Sequence, residues 1–167
     1  DFFLIETKMV KLVTIAIPND VHLYTVVKCL KGGKNVICEK PVALSSSDLE
    51  EMISASKESG KLFTVHQNRR FDVDYLAMQG LSDSGEIGKP IRIESRIHGS
   101  RGIPSDWRGE KEHGGGMILD GGIHLIDQLM LIYKNEEIDT INCEVTNITN
   151  KEVDDGFYLT ITFKSGA

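Results

Sequence analysis

The stretch Val10-Lys11-Leu12-Val13-Thr14-Ile15-Ala16-Ile17-Pro18-Asn19-Asp20 decides the fold. From Val10 to Ile17 it is β-branched and almost continuously apolar, the pattern of a strand covered on both faces in a parallel sheet. Pro18-Asn19-Asp20 stops the strand. Asn19 or Asp20 supplies the N-cap of a following helix whose inner side carries Val21, Val26, Val27 and Leu30. Gly32-Gly33 ends that helix, and Asn35 to Cys38 is a second short buried strand. Strand, helix and strand within about thirty residues form a βαβ unit.

The alternation then repeats. Pro41 breaks the chain, and Ser45-Ser46-Ser47-Asp48-Leu49-Glu50 opens a helix with Ser47 and Glu50 in capping-box spacing. Leu49, Met52, Ile53 and Ser56 give its inner stripe, and Gly60 ends it. Leu62 to His66 is a third strand. Residues 1–70 therefore read as β-α-β-α-β, the C-terminal half of a doubly wound, Rossmann-like α/β domain. Ahead of Val10, Phe2, Phe3, Leu4 and Ile5 fit a short strand or a helical turn equally well.

Residues 71–167 have a different character. Gln67-Asn68-Arg69-Arg70-Phe71 is a polar, basic hinge, followed by a helix over Asp74 to Leu81 that Gly85 and Gly88 end. Pro90 to His98 alternates apolar and polar residues throughout, which predicts a half-exposed antiparallel strand. A loop over Gly99 to His113 holds the single tryptophan, Trp107, beside Arg108. A helix over Gly114 to Tyr133 and strands over Thr140–Thr149 and Phe157–Lys164 complete the chain. Phe157, Leu159, Ile161 and Phe163 share one side of the last strand. This is an α+β layer, an open and mostly antiparallel sheet with a packed helix.

Composition narrows the function. The chain has 167 residues, a net charge of −6 and a pI near 5.4. An acidic surface argues against a nucleic-acid partner, because phosphate binding needs clustered cations. No apolar run approaches a membrane span, and no membrane partner is expected. Cys29, Cys38 and Cys143 form neither a zinc pattern nor a disulfide framework, so no metal is expected and free thiols in a reducing cytoplasm follow.

Two stretches carry chemistry. In Gly114-Gly115-Gly116-Met117-Ile118-Leu119-Asp120-Gly121-Gly122-Ile123-His124-Leu125-Ile126-Asp127, the residues Asp120, His124 and Asp127 are spaced to share one helix face. Leu119, Ile123, Ile126 and Met130 then face inward. A carboxylate one turn before an imidazole suits acid–base work, and the glycines let a substrate or cofactor approach the backbone. The same spacing also fits a structural or solvated histidine. The second stretch is Glu39-Lys40-Pro41. With Pro18-Asn19 it lies past the carboxyl ends of parallel strands, where open α/β sheets bind ligands. Lys40 offers a cation and Glu39 an acceptor, and a turn with a solvated Glu-Lys pair fits as well.

Taken in order, Pro18-Asn19-x-x-His22, Glu39-Lys40-Pro41 and Gly114-Gly115-Gly116-x-x-x-Asp120-x-Gly122-x-His124 resemble the glucose–fructose oxidoreductase/inositol dehydrogenase (Gfo/Idh/MocA) family. Val153-Asp154-Asp155-Gly156-Phe157 is similar to that family too. The resemblance runs from Val10 to the end of the chain. It implies an NAD(P)-dependent dehydrogenase acting on a hydroxyl of a sugar, polyol or derivative, with NAD or NADP as cofactor. It implies Lys40, Asp120 and His124 as catalytic residues, with His124 as the acid–base group. Pro18, Asn19, His22, Glu39, Lys40 and Pro41 would lie at the cofactor. Asn68, Arg69, Trp107 and Arg108 would line the sugar site, Trp107 as a stacking face. His66 fits either a site or a surface role, and His98 and His113 read as surface residues.

One family feature is absent: no G-x-G-x-x-G occurs in the chain, so the resemblance is to a member cut at both ends. Two expectations follow. The strand from Val10 would have an open apolar edge, and a homo-oligomer would form through that edge or the C-terminal sheet. A non-catalytic binding or assembly module of the same fold is the alternative to an enzyme. A sugar-amine or cyclic-imine reductase is a third reading, sharing Lys40 without needing Asp120 and His124.

Overall fold

The computed structural model describes residues 7–100 and 102–167. The reading of Phe2–Ile5 lies outside them. Backbone contacts divide the chain into two compact units, Asp1–His66 with Glu112–Gly114, and Gln67–Lys111 with Gly115–Ala167.

The first unit is a parallel sheet with two helices. In order come β1 (Leu12–Ile15), α1 (His22–Lys31), β2 (Asn35–Glu39), α2 (Ser46–Ser59) and β3 (Phe63–His66). The strand order is β1-β2-β3, with Ile15 opposite Cys38 and Cys38 opposite Val65. The expected β-α-β-α-β pattern is present. Val36 and Cys38 of the central strand are fully buried among Ile15, Val26, Cys29, Leu30, Met52 and Ala55. Every large side chain in that core comes from a position the apolar pattern marked, or from the helix face beside it.

Several details differ from expectation. Among the described residues β1 has one strand neighbour, β2, and its faces are unevenly covered: Leu12 and Thr14 are exposed while Ile15 is buried. A continuous apolar run reports composition, and burial on both faces also needs neighbours on both sides. Asn19 does not cap α1. Its buried side chain donates instead from Nδ2 to the Gly114 carbonyl at 2.9 Å, and the helix is entered through a 3-10 turn, Asn19–Val21. Val21 is exposed, and His22 and Cys29 take inner positions of α1 beside Val26 and Leu30. The cap of α2 is Ser45, whose Oγ accepts from the Asp48 N–H at 3.1 Å, so the Ser47–Glu50 box does not form. On α2 the buried side chains are Met52 and Ala55, while Ile53 is exposed.

The second unit contains α3 (Val73–Ser84), a π-helical turn (Ile118–Gly122), α4 (Ile123–Ile132), and β4 (Ile138–Thr146) antiparallel to β5 (Gly156–Phe163). β5 turns Phe157, Leu159, Ile161 and Phe163 to one side as expected, and Phe163 stacks on Tyr133 with ring centroids 4.7 Å apart. Pro90–His98 is not a strand. Ile91 and Ile97 are exposed and the segment joins neither β4 nor β5. Alternation specifies two faces, whereas a strand also needs a hydrogen-bonded neighbour. The stretch Lys111–Ile132 has the length and apolarity of a membrane span by composition, but Gly114–Gly116 interrupts it and the continuous helix starts only at Met117. Length and composition are all that support that reading, and the run carries Asp120, His124 and Asp127.

The β4–β5 connection is tied by one carboxylate. Asp155 accepts from the Thr149 N–H and, at 2.9 and 2.8 Å, from the Thr149 and Thr146 hydroxyls. The Thr149 N–H leads the bonds that hold the Asp155 carboxyl at about 2, below its ordinary value. A depressed carboxyl contributes stability above its unfolded pKa and loses it as pH falls through the folded one. The melting temperature of the chain should therefore fall between about pH 4 and pH 2. An Asp155→Asn variant should be less stable at pH 7 and flatter across that window, as thermal melts at stepped pH will read.

The thiols also separate. Burial, with Glu39 adding to it, pushes Cys38 up to about 12, and burial raises Cys29, whereas Cys143 is exposed. A neutral disulfide reagent acting on thiolates should titrate one fast thiol in the native chain, and Cys143→Ser should abolish it.

Candidate active-site residues

In the first unit the expected cofactor residues lie at the C-terminal ends of β1 and β2 and at the start of α1. Pro18 and Asn19 follow β1, and Glu39, Lys40 and Pro41 end β2. His22 opens α1 and is fully buried. The Lys40–Pro41 peptide is cis. Glu39 is clasped from two sides: Oε1 lies 2.6 Å from His66 Nδ1 at the end of β3, and Oε2 accepts from the Lys40 N–H at 3.4 Å. Burial raises the Glu39 carboxyl, but the His66 and Lys40 hydrogen bonds and charges outweigh it and hold it below the ordinary range. His66 is thus a rim residue, paired with the carboxylate that precedes Lys40. His113, read as a surface residue, is half-buried with Nδ1 3.1 Å from Asp20 Oδ2.

In the second unit the glycine run has a use the sequence did not show. A Cβ on Gly115 would stand 2.2 Å from the Arg108 carbonyl oxygen, and one on Gly116, at φ +107°, would stand 2.2 Å from Asp154 Oδ1. The glycines there admit the protein's own backbone and Asp154, not a ligand. Gly114, grouped with the first unit, lies against Leu44 and Asn19. The helix begins at Met117, not Gly114, and its first N–H groups go to Asp154. The Asp154 carbonyl accepts from Met117 N–H at 3.0 Å, and Oδ2 accepts from Ile118 N–H at 2.8 Å. A remote carboxylate therefore acts as the N-terminal cap.

The π turn over Ile118–Gly122 replaces the regular spacing expected for Asp120 and His124. Asp120 lies 3.6 Å from Arg108 Nε, and Arg108 stacks over the half-buried Trp107 ring at 4.4 Å. Asp120, Trp107 and Arg108 are therefore brought together. His124, expected on the open face, is buried at 5% exposure, while Leu119, Ile123, Ile126 and Met130 are half-buried. The π turn shifts Asp120 relative to His124, while His124, Ile123, Ile126 and Met130 keep regular helical spacing within α4.

His124 Nδ1 lies 3.0 Å from Gln67 Oε1. Asp127 is held by Arg70 through two bonds of 2.7 and 2.6 Å, which keep the guanidinium charged. Gln128 donates to the Arg69 carbonyl at 2.7 Å. Three contacts thus dock the turn Gln67–Phe71 on α4. Asn68 and Arg69 sit exposed in that turn, and the Arg69 side chain pairs with Asp72 at 3.5 Å rather than reaching toward Trp107 and Arg108. The contacts of Gln67 with His124 and of Arg70 with Asp127 were not legible in the sequence, because the partners lie 57 positions apart, beyond any local period.

Residues 75–167 match the family model described as the GFO/IDH/MocA C-terminal domain. The chain belongs to the Gfo/Idh/MocA family. Residues 3–67 match the model of its oxidoreductase family, NAD-binding Rossmann fold. Among curated relatives of this Gfo/Idh/MocA chain, an uncharacterized oxidoreductase of Schizosaccharomyces pombe is 32% identical over 162 residues, 96% of this chain and 44% of the relative. A myo-inositol 2-dehydrogenase of Thermotoga maritima is 31% identical over 171 residues, 98% of this chain and 49% of the relative. A solved structure of an NAD-binding protein from Listeria innocua superimposes with a TM-score of 0.94 at 42% identity, covering 98% of this chain and 47% of that one. The chain spans about half the length of the curated relatives it matches.

Proposed function

We propose that the protein is an NAD(P)-dependent dehydrogenase that oxidises a hydroxyl of a sugar, polyol or derivative. The observation that carries this reading is the buried His124 with Gln67 Oε1 against Nδ1. A glutamine carbonyl oxygen only accepts, so it keeps the proton on Nδ1 and makes Nε2 the basic nitrogen. That nitrogen takes the hydroxyl proton, the task an alcohol dehydrogenation sets. Asp120, backed by Arg108, orients the hydroxyl, and Trp107 offers a face to a sugar ring.

The residues of the first unit fit a nicotinamide cofactor. They join a cation, Lys40, to two proline-fixed loops at the ends of parallel strands. Pro18, Asn19, Glu39, Lys40 and Pro41 would hold the ribose and nicotinamide end, and the bound cofactor would supply the hydride acceptor. Lys40 would offer its cation to the ribose hydroxyls of the cofactor. The whole protein is proposed to work as a homo-oligomer.

The test is fluorescence titration of NADH and NADPH into the chain, with Lys40→Ala as control. Saturable binding that the variant loses supports the reading, and a polyol and sugar screen follows. No binding at millimolar cofactor overturns the reading for this chain and favours a binding module of the same fold.

A further inference from the structure

We propose that His22 is a positioning residue that locks together the two loops bearing Asn19 and Lys40. The ring is fully buried, with Nδ1 3.0 Å from the Pro41 carbonyl oxygen and Nε2 3.0 Å from the Ile17 carbonyl oxygen. Ile17 follows β1 and Pro41 follows β2. The ladder between these strands ends at the pair Ile15–Cys38. Beyond that pair no strand pairing joins the two segments among the described residues, and the imidazole bridges them. Carbonyl oxygens only accept, so a neutral ring donates to one of the two at a time, according to tautomer.

The position of His22 makes the arrangement possible. It is the first residue of α1, and the intervening 3-10 turn folds the chain back so that a side chain four residues past Pro18 faces both strand ends. Asn19 is fixed separately through its bond to the Gly114 carbonyl. His22 therefore governs the backbone from which Pro18–Asn19 and Lys40–Pro41 project. A rigid ring carries polar atoms on two edges, and no aliphatic residue at this buried site could satisfy either carbonyl.

The consequence for cofactor rests on the dehydrogenase reading above, but the loop-locking role does not. Amide hydrogen exchange of the full chain, compared with His22→Phe and His22→Gln, tests the lock directly. The phenylalanine variant keeps a ring and removes both nitrogens. Exchange at Asn19–Val21 and at Lys40–Leu44 should rise about tenfold, as expected for loss of one net hydrogen bond, while β2 and the middle of α1 stay protected. His22→Gln, which keeps a donor, should recover part of the protection and carries the test if the phenylalanine variant does not fold. Unchanged exchange in both loops, or a loss spread evenly through the sheet, overturns the proposal. In NADH titration, His22→Phe should weaken binding several-fold relative to the wild-type chain, with His22→Gln recovering part of the loss. Unchanged NADH affinity in both variants overturns the part of the proposal that extends to the cofactor. If the native chain binds no NADH, the dehydrogenase reading fails while the exchange data still decide the role of His22.

Discussion

Gly115→Ala should destabilise the chain by about 3 kcal/mol or leave it unable to fold. The added methyl would meet the Arg108 carbonyl oxygen at 2.2 Å, the Arg108 carbonyl carbon at 2.7 Å and the Glu110 oxygen at 2.9 Å. All three are backbone atoms, so no rotamer change relieves the clash. The segment has little room to shift, because Gly115 N–H donates to Glu110 and Gly116 N–H donates to Arg108, each at 3.0 Å. Moving it would also draw Arg108 away from Asp120. Gly80→Ala is the matched control. Gly80 lies inside α3 with nothing within 4 Å of a built Cβ, and the change should stabilise by about 0.5–1 kcal/mol. Urea melts of the two variants check both signs. A Gly115→Ala chain that melts with the wild type would mean the loop yields far more easily than its hydrogen bonds indicate.

His124→Gln should lower the rate of polyol-dependent NAD(P)⁺ reduction by about 10²–10⁴-fold, with cofactor affinity unchanged. Glutamine is polar and close in length, so the buried site stays filled, but it cannot accept and release a proton near neutral pH. Gln67→Ala should act in the same direction with smaller effect, because it removes the acceptor 3.0 Å from Nδ1 that sets the tautomer. It should shift the pH–rate profile, which a change of packing alone does not predict. Steady-state rates across pH for the two variants test this. A His124→Gln enzyme with the wild-type rate would remove His124 from the chemistry and strengthen the reductase reading, in which Lys40 alone is needed.

The motifs of the site were readable where they are local. Glu39-Lys40-Pro41 stands at a strand end because an apolar run precedes it and a proline follows. The helix carrying His124 was visible from its period. Its detailed geometry was not. The π turn at Ile118–Gly122 has no local sequence cause that separates it from a regular turn. Part of its setting is a contact with β5: Gly122 leaves room for the Phe157 ring, which a Cβ would meet at 2.8 Å. The inner and outer faces of that helix were assigned from apolarity on an ideal 3.6-residue period, and His124 is buried where Gln67, 57 positions away, meets its ring.

By itself the sequence determined the parallel β-α-β-α-β order, the central core around Val36, Cys38, Leu30 and Met52, and the side of β5 that turns inward. These follow from apolar periodicity and from glycine and proline punctuation, both of which act over a few residues. The tertiary structure alone decided that Asp154 caps a helix 36 residues before it, that Arg70 holds Asp127, that Gln67 faces His124, and that Asn19 reaches Gly114 instead of capping its own helix. Arg70 and Asp127 pair at the surface, whereas the Asn19, Gln67 and Asp154 bonds are buried or part-buried, and there burial selects the partner. A hydrogen bond left unmade away from water costs more than a local cap returns, so the chain satisfies its distant donors and acceptors first.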